Sequence, residues 1–431
     1  MRIIRACKEM GISTVAVFSE ADRESLHVAL ADQKVCIGGA HSKDSYLNME
    51  AIISAAIVLD AGAIHPGYGL LSENSKFARK CQEYDIKFIG PKPEIIDKMG
   101  DKDNARSTMK SVGVPIVPGT DIISDKTTAF KLAKKIGFPL LIKARSGGGG
   151  KGIRLVENEK NFEKLFEQAS IEAQSTFGDN GCYLEKYLSP VKHIEMQVLA
   201  DEHGKVVVLG ERECSIQRRN QKMIEETPSI AVCDKIRQSM IKVSTQAAKA
   251  VGYTNAGTIE FLLDKNGKFY FMEMNTRLQV EHPITEMVTG IDIVKWQIRI
   301  AMGLPLSMQQ SDIRPIGASI ECRINAENPA QGFRPCAGKI TDFNAPGGPW
   351  VRFDSAIYSG YTIPPYYDSM IGKLIVWAKN REEAINKLKA ALCELGVAGV
   401  DTNIEMQQKI LDSPLFKSGN YYTDLIAKEF T

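Results

Sequence analysis

The segment Thr258-Ile259-Glu260-Phe261-Leu262-Leu263-Asp264-Lys265-Asn266-Gly267-Lys268-Phe269-Tyr270-Phe271-Met272-Glu273-Met274-Asn275-Thr276-Arg277 decides how this chain is read. Its two apolar runs flank Asn266-Gly267, a dipeptide that favours a two-residue hairpin turn. With that turn Lys265 faces Lys268, and counting outward sets Glu260 directly opposite Glu273. Directly opposed carboxylates sit about 5 Å apart at Cβ and repel, so a proton or a cation has to separate them. A hard divalent cation meets the need. Asn275 and Arg277 follow at steps of two on the same face, adding an oxygen ligand and a fixed positive charge. The array suits a magnesium–nucleotide site.

A chain of 431 residues with 44% hydrophobic and 25% charged side chains is ordinary for a globular protein of about two or three domains. Its 54 basic and 52 acidic residues leave a net charge of +2, which offers no strong field to nucleic acid or to a membrane surface. The nine cysteines are widely spaced with no Cys-x-x-Cys pair, as expected of free thiols in a reducing compartment. The apolar run from Met49 to Ile64 is broken by Glu50 and Asp60 and is too short to span a bilayer. No secretory signal opens the chain. These features predict a cytoplasmic protein. Cys214, within Glu211-Arg212-Glu213-Cys214, is either a reactive thiol among charges or a buried, inert one.

Residues 1–90 alternate helical and strand patterns, as in an open α/β sheet: a helix over Arg2–Met10, a strand over Thr14–Phe18, a helix over Leu47–Leu59 and a strand over Lys87–Ile89. Gly90-Pro91-Lys92-Pro93 marks a boundary, and residues 91–116 read as linking helices that carry Lys102. Residues 117–188 form a small α+β unit, with strands Phe138–Lys143, Ile153–Val156 and Tyr183–Tyr187 and a helix from Asn161 to about Thr176. The remainder, 189–431, reads as a large mixed domain with strands Ile194–Ala200, Val206–Glu211 and Lys373–Trp377 and helices Asp234–Val251 and Arg381–Leu395.

The loop Ser146-Gly147-Gly148-Gly149-Gly150-Lys151-Gly152 joins two strands, so it is neither a Walker loop nor a dinucleotide fingerprint, both of which open a helix. Its glycines bring backbone N–H groups close to phosphate oxygens, and Lys143 and Lys151 add charge. Taken alone, such a run serves equally as a flexible turn. Glu185-Lys186-Tyr187-Leu188 offers strand backbone to an adenine edge and Leu188 to its ring, or is plain surface strand. His193 is positioned to meet a ribose or to make a structural contact. Arg277-Leu278-Gln279-Val280-Glu281-His282-Pro283 supplies a cation, an amide and a carboxylate for a small anionic acceptor and its deprotonation. Lys222 and Arg323 offer further anion contacts, or are surface ion pairs.

In this order these pieces resemble the biotin carboxylase family of ATP-grasp enzymes. The match is carried by His65-Pro66-Gly67-Tyr68-Gly69-Leu70-Leu71-Ser72-Glu73-Asn74, the glycine-rich loop, Glu273 to Pro283, and Tyr366-Tyr367-Asp368-Ser369-Met370-Ile371-Gly372-Lys373. The resemblance implies an ATP-grasp fold with an N-terminal open α/β domain, a glycine-rich lid and a C-terminal mixed β domain. It also implies a ligase that uses MgATP (or the manganese form) to activate bicarbonate as carboxyphosphate, then carboxylates N1 of biotin held on a carrier. Carried over by position, Lys102, Lys143, Gly149, Gly150, Glu185, Lys186, Tyr187, Leu188, His193, Gln217 and Asn220 are similar to ATP contacts. Glu260, Glu273 and Asn275 match magnesium ligands. Lys222, Arg277, Gln279, Val280 and Glu281 match the bicarbonate pocket, with Glu281 the base. Arg323 matches the arginine that stabilises the biotin enolate, with Tyr68 near the biotin.

Three positions depart from the family pattern. Asn220 stands where a histidine usually contacts the ribose, which implies weaker ATP binding. Leu70 stands where phenylalanine is usual, implying looser packing near Tyr68. The family begins with a strand and an Asn-Arg-Gly-Glu-type turn before the helix that starts here at Met1, so we expect upstream in-frame sequence to encode them. No Ala-Met-Lys-Met motif occurs in the 431 residues. Biotin is therefore expected on a separate biotin carboxyl carrier protein, alongside carboxyltransferase subunits, with the chain itself a homodimer. Acetyl-CoA carboxylase is the leading expectation, a two-part pyruvate or other acyl-CoA carboxylase the alternative, and a non-catalytic ATP-binding protein the contrasting class.

Overall fold

A computed structural model describes residues 1–123, 125–144, 152–177 and 180–430. The glycine-rich loop, with the expected phosphate contacts Gly149 and Gly150 and with Lys151, lies outside the described residues. The chain divides into a larger unit, residues 1–114, 192–262 and 273–431, and a smaller one, residues 115–191 and 263–272.

The larger unit opens on the helix Arg2–Glu9, which buries Ala6. Val15–Phe18 pairs in parallel with Gln33–Cys36, and Ala63–Ile64 with Lys87–Phe88, so the N-terminal α/β region carries two separate parallel pairs rather than one doubly wound sheet. Asn48 and Asn74 cap the helices Met49–Val58 and Ser75–Glu83 by accepting from the backbone N–H of Ala51 and Phe77. Those helices bury Ile53, Phe77, Ala78 and Cys81 in a common core.

Most of an eight-stranded sheet lies in this unit; its spatial order is Phe269–Asn275, Asn255–Asp264, Val191–Ala200, Val206–Arg218, Gln221–Thr227, Ala318–Asn325, Met370–Ala378 and Val351–Ser355. Val191–Ala200 is buried at every residue although it contains Lys192, His193 and Glu195. The strand expected to end at Glu211 continues to Arg218. It can, because each buried charge meets a partner: Glu211 meets Arg237, Arg212 meets Glu195, and Glu213 meets Lys192. Cys214 is fully buried in this strand, and burial pushes its thiol well above the ordinary value, so it is the inert alternative. The helix Asp234–Val251 covers the sheet and stops at Gly252, whose φ of 65° is the left-handed conformation a helix C-terminus favours.

The smaller unit places Leu140–Ala144 between Ile153–Val156 and Cys182–Lys186, all antiparallel. The helices Lys126–Ile136 and Phe162–Phe177 contribute to its core, where Phe162 and Phe166 meet Leu140 and Leu184.

The hairpin tip at 263–272 corrects the two-residue turn. Asp264 N–H donates to the Lys268 carbonyl at 2.8 Å and Gly267 N–H to the Asp264 carbonyl at 3.0 Å, which leaves Lys265, Asn266 and Gly267 as a three-residue loop. Gly267 has φ 77°, the left-handed position of such a loop. The Asp264 carboxylate accepts from the N–H groups of Asn266 and Lys268, and this local capture selects the longer turn. Counted from the 264–268 pair, the turn alone does not set Glu260 opposite Glu273.

Candidate active site

The sheet gathers its charges around one ammonium. Lys222 stands directly across from Gln217 in the hairpin that joins Val206–Arg218 to Gln221–Thr227. From there Nζ reaches Glu195 at 2.6 Å, Glu281 at 2.7 Å and Glu260 at 2.9 Å. Burial opposes the charge on Lys222, yet these acids hold its pKa well above the ordinary lysine value. Glu195 also accepts from the fully buried Arg212 at 2.5 Å. The two-residue turn before Lys222 puts Arg219 and Asn220 at φ 49° and 65°, with Asn220 exposed at the tip.

Glu260 sits at the junction of several donors. Asn275 Nδ2 donates to Glu260 Oε1 at 3.0 Å and Gln279 Nε2 lies at 3.5 Å. His193 Nε2 lies 2.9 Å from Glu260 Oε2 without hydrogen-bond alignment, so the structure turns this side chain toward the acid and buries it. Burial alone raises the Glu260 carboxyl, but Lys222 and His193 hold it below the usual carboxylate range. Glu273 moves the other way, pushed up by burial first and by the Glu260 charge second, with Lys102 opposing. The two acids therefore sense each other despite the longer turn. Glu260 and Glu273 offer hard carboxylate oxygens, and a divalent cation between them relieves their like-charge repulsion; Asn275, whose oxygen here accepts from Arg277 at 3.2 Å, adds an oxygen ligand once its amide is turned over. The set fits magnesium or manganese.

Glu281 is fully buried at the N-terminal boundary of the helix His282–Thr289. Its Oε2 accepts from Arg323 at 2.9 Å while Oε1 accepts from Lys222. Burial raises this carboxyl, and Lys222, Arg323 and Arg212 together hold it well below the ordinary value. Arg323 is shared with Glu225 at 2.7 Å, and burial pushes Glu225 up to about 7 against the pull of that guanidinium. Arg277 is aimed by Glu73, which accepts from its Nε at 2.8 Å and from the Thr276 N–H at 2.8 Å. Arg277 in turn donates to Gln279 Oε1 at 2.9 Å. Glu73, Glu195, Glu225 and Arg212 were not singled out from sequence for this site.

Tyr68 rides on a loop shaped by Gly67 and Gly69 at φ 66° and 79°. His65 Nδ1 accepts from the Gly67 N–H at 3.0 Å and Nε2 meets Gln297 at 3.1 Å; burial pushes this imidazole down to about 4, so it holds the loop as a neutral group. Leu70 is 59% exposed at φ 48°, so its side chain is not part of a packed layer beside Tyr68, contrary to the expectation of loosened packing.

In the smaller unit, Lys143 is bonded to Glu185. Lys186 Nζ donates to the carbonyls of Gly137 and Phe138 at 3.1 and 3.0 Å. The N–H groups of Lys186 and Tyr187 go to the carbonyls of Pro118 and Pro139 at 2.7 and 3.2 Å, so these two amides are not free for an adenine edge.

Acids and cations gathered on a central sheet, with one ammonium between three carboxylates, suit the handling of small anions. Family descriptions match nearly the whole chain: "Biotin carboxylase, N-terminal domain" over residues 1–96, "Carbamoyl-phosphate synthase L chain, ATP binding domain" over 101–309 and "Biotin carboxylase C-terminal domain" over 321–428. The chain belongs to the biotin carboxylase family. It is 54% identical to the biotin carboxylase of a Nostoc strain, over 99% of this chain and 96% of that one. It is 50% identical to one of the pyruvate carboxylase subunits of Methanothermobacter thermautotrophicus, over 99% and 87%. The biotin carboxylase domain dimer of Hydrogenobacter thermophilus 2-oxoglutarate carboxylase, solved with MgADP, ADP and bicarbonate, superposes with a TM-score of 0.92 at 49% identity, covering 99% of this chain and 94% of that one. The fold is thus ATP-grasp, and the protein is an ATP-dependent carboxylase, a ligase. Among the described residues no helix is long and apolar enough to cross a membrane.

Proposed function

We propose that the enzyme carboxylates biotin carried on a separate carrier protein, as the biotin carboxylase component of acetyl-CoA carboxylase, in partnership with carboxyltransferase subunits. The observation that carries this function is the Glu281 carboxylate held between Lys222 at 2.7 Å and Arg323 at 2.9 Å. In the resting site those cations make Glu281 a weak base. Bicarbonate entering among Lys222, Arg277 and Arg323 competes for the same donors, which releases Glu281 to take the bicarbonate proton. Gln279 and the Val280 backbone complete that pocket, and Glu73 keeps Arg277 turned to it. Glu260, Glu273 and Asn275 would hold a divalent cation, which would supply charge neutralisation for the transferring phosphoryl group of ATP. Lys102, Lys143, Gly149, Gly150, Glu185, Lys186, Tyr187, Leu188, His193, Gln217 and Asn220 form the proposed nucleotide contacts, with Leu188 packing on the base. When carboxyphosphate gives up its carboxyl group, the released phosphate takes the biotin N1 proton and Arg323 offers its charge to the resulting enolate, near Tyr68.

The test is ADP release by the purified enzyme with MgATP, requiring bicarbonate and stimulated by free biotin. A rate indifferent to both additions contradicts the proposal. A second acceptor is supported by the relative named for pyruvate carboxylase. Carboxyl transfer reconstituted with the carrier and carboxyltransferase, offered acetyl-CoA or pyruvate, separates the two.

A further inference from the structure

The stretch Tyr366 to Lys373 stands out in the sequence, and the proposed chemistry leaves its last residue without a task. Lys373 is 3% exposed on the strand Met370–Ala378. A buried ammonium normally faces a carboxylate. Among the described residues none lies within 4.0 Å of this one. Its Nζ instead donates to the Val280 carbonyl at 2.5 Å and lies 5.8 Å from the Tyr68 ring centroid, within range of a cation–π contact. Lys373 is directly cross-strand from Arg323 and from Asp354, so it shares the sheet face of the arginine bonded to Glu281.

The acceptor is informative. The Val280 carbonyl and the Glu281 N–H belong to one planar peptide unit, so a donor fixed on that oxygen fixes the backbone from which the Glu281 side chain departs. The preceding carbonyl, of Gln279, is gripped in the same way by His282 Nδ1 at 2.7 Å. Two buried side chains thus hold successive peptide units ahead of the helix His282–Thr289. One of them reaches in from a strand 93 residues away.

We propose that Lys373 is a positioning residue for the carboxylation reaction: its ammonium locks the Val280–Glu281 peptide unit, and so aims the Glu281 carboxylate at bicarbonate while standing beside the biotin-side residues Tyr68 and Arg323. The proposal rests on Glu281 being the base. Displacing a catalytic group by about 1 Å can cost on the order of 10²-fold in rate, which sets the scale of the expected effect.

The experiment is a double-mutant cycle on the full chain with K373M, E281Q and the pair, measuring bicarbonate-dependent ADP release, KM for bicarbonate and for ATP, and the melting temperature of each variant. K373M is expected to lower kcat about 10²-fold with KM for ATP unchanged, and to lower it hardly further in the E281Q background. K373Q keeps a neutral donor for Val280 and is expected to recover most of the lost kcat; if K373M does not fold, K373A, which also removes the donor, takes its place in both backgrounds. Equal rates for K373M and K373Q, or fully additive losses with E281Q, overturn the positioning role. Near-wild-type turnover of E281Q alone overturns the base assignment instead, and with it any role for Lys373 through that residue.

Discussion

Lys222 Nζ is bonded at once to the Glu281 carboxylate, at 2.7 Å, and to two further buried acids, Glu195 and Glu260. Removing it strands buried negative charge. K222M is expected to destabilise the fold by about 3–5 kcal/mol, the usual cost of breaking a buried ion pair from one side, and to abolish bicarbonate-dependent turnover. Denaturant unfolding at pH 8 checks it. Wild-type stability would mean that Glu195, Glu260 and Glu281 do not share this ammonium.

Glu73 orients Arg277 through its Nε and holds the neighbouring Thr276 N–H. A hydrogen bond to a charged group contributes about 1.5–3 kcal/mol, and Glu73 is partly exposed, so the low end applies. E73Q should raise KM for bicarbonate roughly tenfold with KM for ATP unchanged. A change confined to ATP would place Arg277 on the nucleotide instead.

Glu321 is buried with neither carboxylate oxygen bonded. Burial pushes its pKa well above the ordinary carboxyl value of 4.5, with Lys373 and Arg323 opposing and Glu225 and Glu281 adding to the rise. The folded protein therefore holds a proton that the unfolded chain releases near 4.5. Stability from this group is full below that pH and is lost as pH rises toward the folded-state value. E321Q mimics the protonated acid, so its melting temperature should fall less than that of the wild type between pH 5 and 9. Parallel curves would show that Glu321 ionises freely.

The Glu260 charge adds to the upward push on the Glu273 carboxyl, and the two acids are expected to share a cation in the working enzyme. E273Q should hold or raise the melting temperature in chelator, while raising the magnesium concentration for half-maximal turnover about tenfold or more. An unchanged magnesium requirement would remove Glu273 from the metal site.

Much of this arrangement is legible in the chain. The helix Asp234–Val251 reads directly because its periodicity ends at Gly252. The turn does not, because Asn266-Gly267 dominates the local pattern, while Asp264, which captures the N–H groups of Asn266 and Lys268, is the residue that selects the longer loop. What Glu195, Glu73 and Lys373 hold in place is hidden for another reason. Their partners Lys222, Arg277 and Val280 lie 27, 204 and 93 residues away, and only the folded chain brings them together. A buried charge inside an apolar strand, such as Arg212 within Val206–Arg218, gives no sign in one dimension of whether a partner exists.

The central claim is that Glu281 takes the proton from bicarbonate. It is tested most directly by bicarbonate-dependent ADP release from E281Q, which keeps the size of the side chain and removes its basicity. Turnover should fall about 10²–10⁴-fold, about 3–5 kcal/mol in the barrier, with ATP affinity little changed. Turnover close to that of the wild type would contradict the account.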